Sequence, residues 1–178
     1  MKKIILSFIL LSSTCLNLTG CEKVEAYKIK IDEMKKNQEK EDEEILPLNL
    51  DDEIILDHYN GGKYSLTFKD VKRTDKRNEF ASSDINDVII IDYKFENYSV
   101  NEDIIASEGI DFKVYDQNKN LLTTYPIIQS IKYPTPSSPG MISSGSIALG
   151  SKDILNKIYI VVYNQELPIG YIALDIEN

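Results

Sequence analysis

Cysteine is nearly absent from this chain of 178 residues, which has only Cys15 and Cys21. Both lie close to the amino terminus, and Cys15 falls inside an apolar segment typical of a cleaved leader. Once that segment is removed and Cys21 is modified, the chain has no free thiol and cannot form a disulfide. Core packing alone must therefore stabilise the folded part.

Residues that hydrolytic enzymes use are also scarce. The chain has one histidine, His58, and contains neither Gly-x-Ser-x-Gly nor Ser-x-x-Lys. Cys–His and Ser–His–Asp sites are therefore nearly excluded. A carboxylate pair for glycoside hydrolysis is the remaining option, but acids are so numerous that chance pairs are expected. Because metal sites need several ligands, we expect His58 to be a surface histidine and expect no catalytic residue, metal or cofactor.

Basic residues are in deficit, with 20 Lys and Arg against 29 Asp and Glu. Without Lys2 and Lys3 the balance is 18 against 29, a net charge of −11. Nucleic acid binding needs a basic surface, so this charge argues against a nucleic acid partner. It also argues against electrostatic adhesion to an anionic membrane.

The amino terminus has the features of a secretory signal. Two lysines precede an apolar run, residues 4–16, that is shorter than the ~20 residues needed to span a bilayer as a helix. The run leads to Leu-Thr-Gly-Cys at positions 18–21, which resembles a bacterial lipobox. The resemblance implies removal of residues 1–20 and a diacylglyceryl anchor with palmitate-type chains on Cys21, facing the extracytoplasmic side of the cell membrane. The alternative is a buried amphipathic helix with a chance cysteine.

Residues 21–52 predict a charged tether that follows the anchor. Residues 22–44 are almost all charged or polar, and four apolar side chains recur there at helical spacings: Val24, Tyr27, Ile31 and Met34. A short coiled coil that dimerises the chain could use this stripe, but coiled coils normally need more heptads. A solvated, partly helical tether is the favoured interpretation.

Residues 53–178 predict an all-β domain. Short apolar or alternating runs recur with turn signals about every 8–12 residues, which favours a sandwich or barrel. Strands are expected at 54–56, 64–68, 88–97, 111–115, 121–125, 144–149, 157–163 and 171–176. The run at 88–97 begins apolar on both faces, so we expect it to be central. Its buried face is expected to carry Ile89, Ile91, Tyr93 and Phe95.

Two segments have features of ligand-binding loops. Residues 116–120 begin like a calcium loop, but Leu121 stands where such a loop needs glycine, so we expect a hairpin turn with 121–125 pairing back onto 111–115. Residues 145–152 approach a phosphate-binding loop, but they end in Ser-Lys and lack the strand–loop–helix context. We therefore expect a turn and a strand, with neither calcium nor nucleotide.

Three features of the β-region match a known pattern. They are a long strand ending in a turn-starting asparagine (Val88–Asn97), a Phe-x-Val-x-Asp strand (Phe112–Asp116), and Pro139-Gly140 before a strand containing Gly145. Together they resemble the small immunoglobulin-like domain of lipoproteins from Gram-positive bacteria and are similar to the secreted immunoprotective-antigen superfamily. The resemblance covers about residues 60–165, although Lys119 or Asn120 replaces the usual hairpin glycine. It implies an immunoglobulin-like antiparallel β-sandwich and no catalytic residues.

The connection at 132–140 is a candidate interaction loop, with Tyr133, Pro134 and Pro136 as its site residues. Prolines restrict φ, so such a loop loses little entropy when it binds a partner. A tyrosine offers both an apolar ring and a hydroxyl. The alternative is structural: Tyr133 plugs the end of the sandwich and the prolines keep an edge from pairing.

The leading functional hypothesis is therefore a lipid-anchored, extracytoplasmic binding module for a protein or another envelope component. A structural or accessory subunit of an envelope complex is the second hypothesis, and an unrecognised envelope hydrolase is the third. The residues name no partner.

Overall fold

The structure is a computed structural model that describes residues 45–127 and 131–177. These ranges contain no helix and nine strands: β1 (Leu46–Leu48), β2 (Ile54–Asp57), β3 (Lys63–Arg73), β4 (Asp87–Asn97), β5 (Phe112–Asp116), β6 (Thr123–Thr124), β7 (Ile142–Ser151), β8 (Lys157–Asn164) and β9 (Leu167–Asp175). All nine lie in a compact unit, Glu44–Asn178. The expected signal peptide, Cys21 and most of the tether lie outside the described residues. Nowhere in the two ranges is there a helix long and apolar enough to cross a membrane.

Two sheets form a sandwich-like arrangement, which confirms the all-β prediction. The four-stranded sheet has the order β1-β9-β8-β5 and the five-stranded sheet the order β2-β3-β4-β7-β6. The pairs among β2 to β9 are antiparallel, as expected for residues 53–178, and β1, which precedes that range, pairs with β9 in parallel. The side chain of Leu48 in β1 packs over Gly170 of β9, where a Cβ would collide with it.

Strand β4 is central, as predicted, because it pairs with both β3 and β7. Four of its side chains are buried in the main core: Ile89, Ile91, Tyr93 and Phe95. On the opposite face, Val88 and Ile90 pack with Tyr125 and Ile127 in a second apolar cluster. This second cluster explains why the strand begins apolar on both faces.

The folded domain begins before residue 53. Strand β1 lies inside the segment expected to be tether, and Leu48 and Leu50 pack against the main core. The Asp51 amide then donates to the Phe68 carbonyl of β3 at 2.9 Å. The boundary at 52/53 is therefore too late, because two leucines among polar residues suffice to dock a short edge strand.

The turn at Asp116 is confirmed, but the expected return strand is wrong. The Asp116 carboxylate accepts hydrogen bonds from the amides of Asn118 and Asn120, each at 2.8 Å. After one bridge between Tyr115 and Leu121, the chain leaves β5, and β6 pairs with β7 of the other sheet. Burial of Tyr125 and Ile127 against the five-stranded sheet explains this departure.

Ser65 and Thr67 of β3, polar residues that alternate with the core side chains of Leu66 and Phe68, are also buried. One further expectation, the start of the last strand, is corrected. Strands β8 and β9 are joined by a two-residue turn, Gln165-Glu166, with φ of 48° and 76°. Such a turn matches the strand twist, so β9 starts at Leu167 instead of residue 171.

Candidate functional site

The candidate interaction loop lies along β7. Tyr133 is 66% exposed, so its ring does not plug the end of the sandwich. The backbone around it is fixed, because the Ser146 amide donates to the Lys132 carbonyl at 2.7 Å. Further along, Ile104 and Ser137 exchange backbone hydrogen bonds. Tyr133 thus stands in solvent on an ordered connection.

The two prolines beside Tyr133 lie in different environments. Pro134 is partly buried and packs over Gly145, where a Cβ would lie 2.8 Å from the Pro134 Cβ. Gly145 pairs with the core residue Tyr93, and cross-strand partners share a face, so Pro134 covers the core side of β7. Pro136 is exposed. The structure therefore brings Tyr133 and Pro136 to the surface, whereas Pro134 covers the core side of β7 at Gly145.

A cleft of about 880 Å³ opens where β4 ends and β5 begins. Three connections form its walls: the β2–β3 turn, the β4–β5 connection at residues 98–111, and the β8–β9 hairpin. The long β4–β5 connection lies at the end of the sandwich and supplies much of the lining of this open space.

Asn97 fixes the start of that connection. Its side chain is fully buried, and Nδ2 donates to the carbonyls of Glu102 (2.9 Å) and Ser137 (3.1 Å). Its Oδ1 accepts from the Val100 amide at 2.9 Å. The asparagine that the sequence identified as a turn starter therefore sets the shape of the cleft wall.

Asp111 fixes the end of the same connection. Its carboxylate accepts from the Tyr64 hydroxyl at 2.5 Å and from the Ser107 amide at 2.6 Å. Burial raises the pKa of Asp111, and the hydrogen bonds from Tyr64 and Ser107 and the nearby His58 oppose that rise. Burial and the neighbouring Asp111 also raise the pKa of Tyr64. The pair is a buried floor to the cleft, with both Asp111 oxygens engaged.

His58 lines the open cleft with its side chain 14% exposed, so it reaches the surface there but is partly buried. Its Nδ1 lies 3.6 Å from Glu102 Oε1, which also accepts from Asn60 Nδ2 at 2.7 Å. The Tyr59 ring lies 4.2 Å from the imidazole between centroids. A tight turn holds this group, because Gly62 at φ 88° packs on the Ser99 backbone, where a Cβ would collide.

The β8–β9 hairpin is tied to the other sheet beside the cleft. The Asp57 amide donates to Asn164 Oδ1 at 2.9 Å, and the Asp57 carboxylate pairs with Lys63 at 2.5 Å. The hydrogen bonds from Lys63 and Asn164 lower the pKa of Asp57. Asp57 therefore helps to join the two sheets through its bond to Asn164.

The rim of the cleft is apolar and its lining is acidic. Tyr59, Ile105 and Ile110 are exposed, Ile110 to 75%. Asp103 and Glu166 also line the cleft and form no salt bridge with the rest of the described chain. No group of three or more His, Cys, Asp or Glu within 45–127 and 131–177 is arranged to hold a metal ion. The cleft is suited to contact a cationic and partly apolar group.

Sequence reasoning missed Tyr64 and Asp111 as site residues. The only local signal was the turn sequence Gly109-Ile110-Asp111 before a strand, and it does not reveal a partner 47 positions away. His58 beside Tyr59 was visible as a polar and aromatic pair in a loop. Its burial depends on the distant 98–111 connection.

The fold has a counterpart among solved structures. The crystal structure of MPT63, a secreted protein from Mycobacterium tuberculosis, superposes with a TM-score of 0.55 over 73% of this chain and 98% of that chain, at 10% sequence identity. No protein-family model matches the chain, and no curated protein matches its sequence. At this identity the similarity is one of fold. The chain therefore shares with MPT63 an all-β fold of immunoglobulin-like character.

Proposed function

We propose that the protein is a lipid-anchored, extracytoplasmic binding module and that the end cleft is its partner-binding site. The observation that carries the proposal is the cleft, whose walls are fixed by buried Asn97 and Asp111. Binding residues tend to lie on connections positioned by a rigid scaffold. Concave surfaces of mixed apolar and polar lining are the usual ligand sites. The proposal assigns no reaction to the cleft.

The anchor and the family are part of the proposal. The lipobox-like sequence ending at Cys21 supports lipid attachment, and a structural neighbour that is a secreted protein supports an extracytoplasmic location. The order of elements supports membership of the immunoglobulin-like lipoprotein domains of Gram-positive bacteria and the immunoprotective-antigen superfamily. Because two acyl chains hold a protein stably on a bilayer, a diacylglyceryl group would suffice as the only anchor.

The chemistry of the cleft favours a protein segment as its occupant. Glu102, Asp103 and Glu166 supply negative charge, and Tyr59 and Ile110 supply exposed apolar surface. A segment with a lysine or arginine next to an aliphatic side chain complements both features. The acidic charge of the whole chain would also speed the approach of such a basic partner.

Site-specific photo-crosslinking in cells tests the proposal. The full chain carries a photoreactive amino acid in place of Ile110 on the cleft rim, or in place of Ile154 on the β7–β8 connection as a matched exposed control. We expect a discrete adduct from position 110 only. The double substitution Glu102→Gln, Asp103→Asn should weaken that adduct because it removes two of the lining charges.

The outcomes separate the hypotheses. Equal adducts from positions 110 and 154, or none from 110, contradict binding through the cleft. Adducts from both positions to the same large assembly would favour the accessory-subunit hypothesis instead.

A further inference from the structure

The outer face of the four-stranded sheet is rich in tyrosine. We define the tyrosine face by Tyr115 of β5, Tyr159 and Tyr163 of β8, and Tyr171 of β9. These four are partly exposed, and none belongs to the apolar clusters of the described chain. Each tyrosine has a residue of the main core next to it in its strand (Val114, Ile158, Val162 and Ile172), so the four rings stand on the solvent side of the sheet.

The strand register places these tyrosines on neighbouring strands of one sheet. Tyr115 pairs directly with Tyr159, and cross-strand partners have Cβ atoms about 4.5–5.5 Å apart. The hydroxyls of Tyr115 and Tyr163 lie 3.4 Å apart, and Tyr171 pairs with Val161 between the two β8 tyrosines. The four tyrosines therefore share the outer face of three neighbouring strands, and Tyr163 also lines the edge of the cleft.

Two lysines lie over these rings. Lys119 Nζ is 3.6 Å from the centroid of Tyr159, and Lys113 Nζ is 4.9 Å from the centroid of Tyr163. Neither ammonium group forms a salt bridge with any described carboxylate, although the chain has 29 acidic residues. Burial raises the pKa of Glu108, and the nearby Lys113 opposes that rise, but the two groups do not lie within ion-pair distance. The ammonium groups of Lys113 and Lys119 thus contact aromatic rings instead of carboxylates.

We propose that the tyrosine face binds a linear glycan whose sugar rings carry carboxylates. Sugar rings have apolar C–H faces that stack on aromatic rings, and tyrosine hydroxyls exchange hydrogen bonds with sugar hydroxyls. An exposed cation–π contact is weak, so a sugar carboxylate can draw each ammonium from its ring and expose the ring face. This inference does not rest on the end cleft as a protein-binding site, although Lys113 and Tyr163 also line that cleft.

The charge of the chain favours such a glycan over single-stranded nucleic acid, the other polymer that binds aromatic rings and cations. A nucleic acid carries a charge on every nucleotide and needs an extended basic surface. Here only two lysines face the tyrosines, on a chain of net charge −9, and each lies over one ring. A carboxylated sugar offers both an apolar C–H face for a tyrosine and a negative charge for the lysine beside it, so it matches these lysine–tyrosine pairs.

Affinity electrophoresis of the full chain in non-ionic detergent tests this inference. The native gels contain polygalacturonate, its fully methyl-esterified form, polyacrylate or oligo(dT). We expect polygalacturonate to retard the protein most, because it combines sugar rings with carboxylates. The methyl ester keeps the rings without the charge, and polyacrylate keeps the charge without the rings.

Matched variants identify the face. Tyr159→Ala and, separately, Tyr171→Ala should each weaken retention about 10-fold, since stacking on one aromatic side chain contributes on that scale. Tyr133→Ala is the control, because Tyr133 is exposed on another surface. Lys113→Gln with Lys119→Asn should reduce retention by polygalacturonate to the level of the ester. Asparagine suits position 119, where φ is 69°.

The charge control is Lys69→Gln with Lys152→Gln, which removes two salt-bridged lysines and should leave retention unchanged. Equal retardation of wild type and both tyrosine variants overturns the inference. So does retardation by polyacrylate or oligo(dT) equal to that by polygalacturonate, because charge alone would then explain binding. Loss of retention in the Tyr133 variant or the charge control would place the site elsewhere. A protein partner that crosslinks at position 110 is unaffected by any of these results.

Discussion

The hydroxyl of Tyr64 donates a hydrogen bond to Asp111 Oδ1 at 2.5 Å, although 47 positions separate the two residues. The bond joins the buried start of β3 to the end of the connection that forms one cleft wall. The Ser107 amide completes the arrangement by donating to the other Asp111 oxygen. A single carboxyl group thus links the sandwich to the shape of its candidate binding site.

Asp111 should give the domain a specific pH dependence. Burial raises its folded pKa above the ordinary 3.8, so the folded state still holds a proton that the unfolded chain has released. The contribution of this group to the free energy of unfolding therefore falls as pH rises from about 4 through the folded pKa. Asp111→Asn cannot titrate and should remove this fall.

Urea melts of the wild type and Asp111→Asn at several pH values between about 4 and 7 measure the effect. The difference between the two proteins isolates Asp111 from carboxylates such as Asp57, whose lowered pKa acts in the opposite direction. Asp103→Asn, on the exposed part of the same connection, is the control. If wild-type stability rises with pH relative to Asp111→Asn, the sign is wrong.

Truncation of the central strand should strongly destabilise the fold. Ile91 is fully buried in the main core, so Ile91→Ala should lower the free energy of unfolding by about 2–5 kcal/mol through lost burial and a cavity. Ile55→Ala, at an exposed position of β2, should change it by less than about 0.5 kcal/mol. Urea denaturation measures both, and a loss below about 1 kcal/mol for Ile91→Ala contradicts its role in the core.

Substitutions at Tyr133 and at Gly145, which packs against Pro134, should affect stability differently. Tyr133→Ala should leave stability within about 0.5 kcal/mol, since the ring is mostly in solvent. Gly145→Ala should destabilise by about 1–3 kcal/mol, because the added methyl meets the Pro134 ring. Thermal or urea melts compare the two. A Tyr133→Ala protein that fails to fold would make this tyrosine structural and remove it as a candidate contact.

Lipid attachment predicts a simple chemical result. The thiolate of Cys21 is the atom that would take the diacylglyceryl group, so Cys21→Ser should abolish both lipid incorporation and membrane anchoring. Cells expressing each form are labelled with a fatty-acid probe, and Cys15→Ser serves as the matched control because it lies in the segment expected to be removed. Equal labelling of wild type and Cys21→Ser would show that the anchor lies elsewhere.

The sequence determined the class of fold and its central element. Strand β4 can be predicted from the sequence because its alternation, and the apolar residues on both faces of its first half, are properties of consecutive residues. The turns at Asn97 and Asp116 are equally local, since each side chain bonds to backbone a few residues away. The acid excess and the near absence of cysteine and histidine are also matters of sequence alone.

Only the tertiary structure decided where distant segments meet. The parallel docking of β1, the transfer of β6 to the five-stranded sheet and the partial burial of His58 all depend on contacts between residues far apart in the chain. The tyrosine face is the clearest case. Tyr115 and Tyr171 each look like ordinary strand residues, and only the pairing of β5, β8 and β9 puts them on one surface. A period of two tells which residues share a face of one strand, but the register between strands is set by the packing of the whole core.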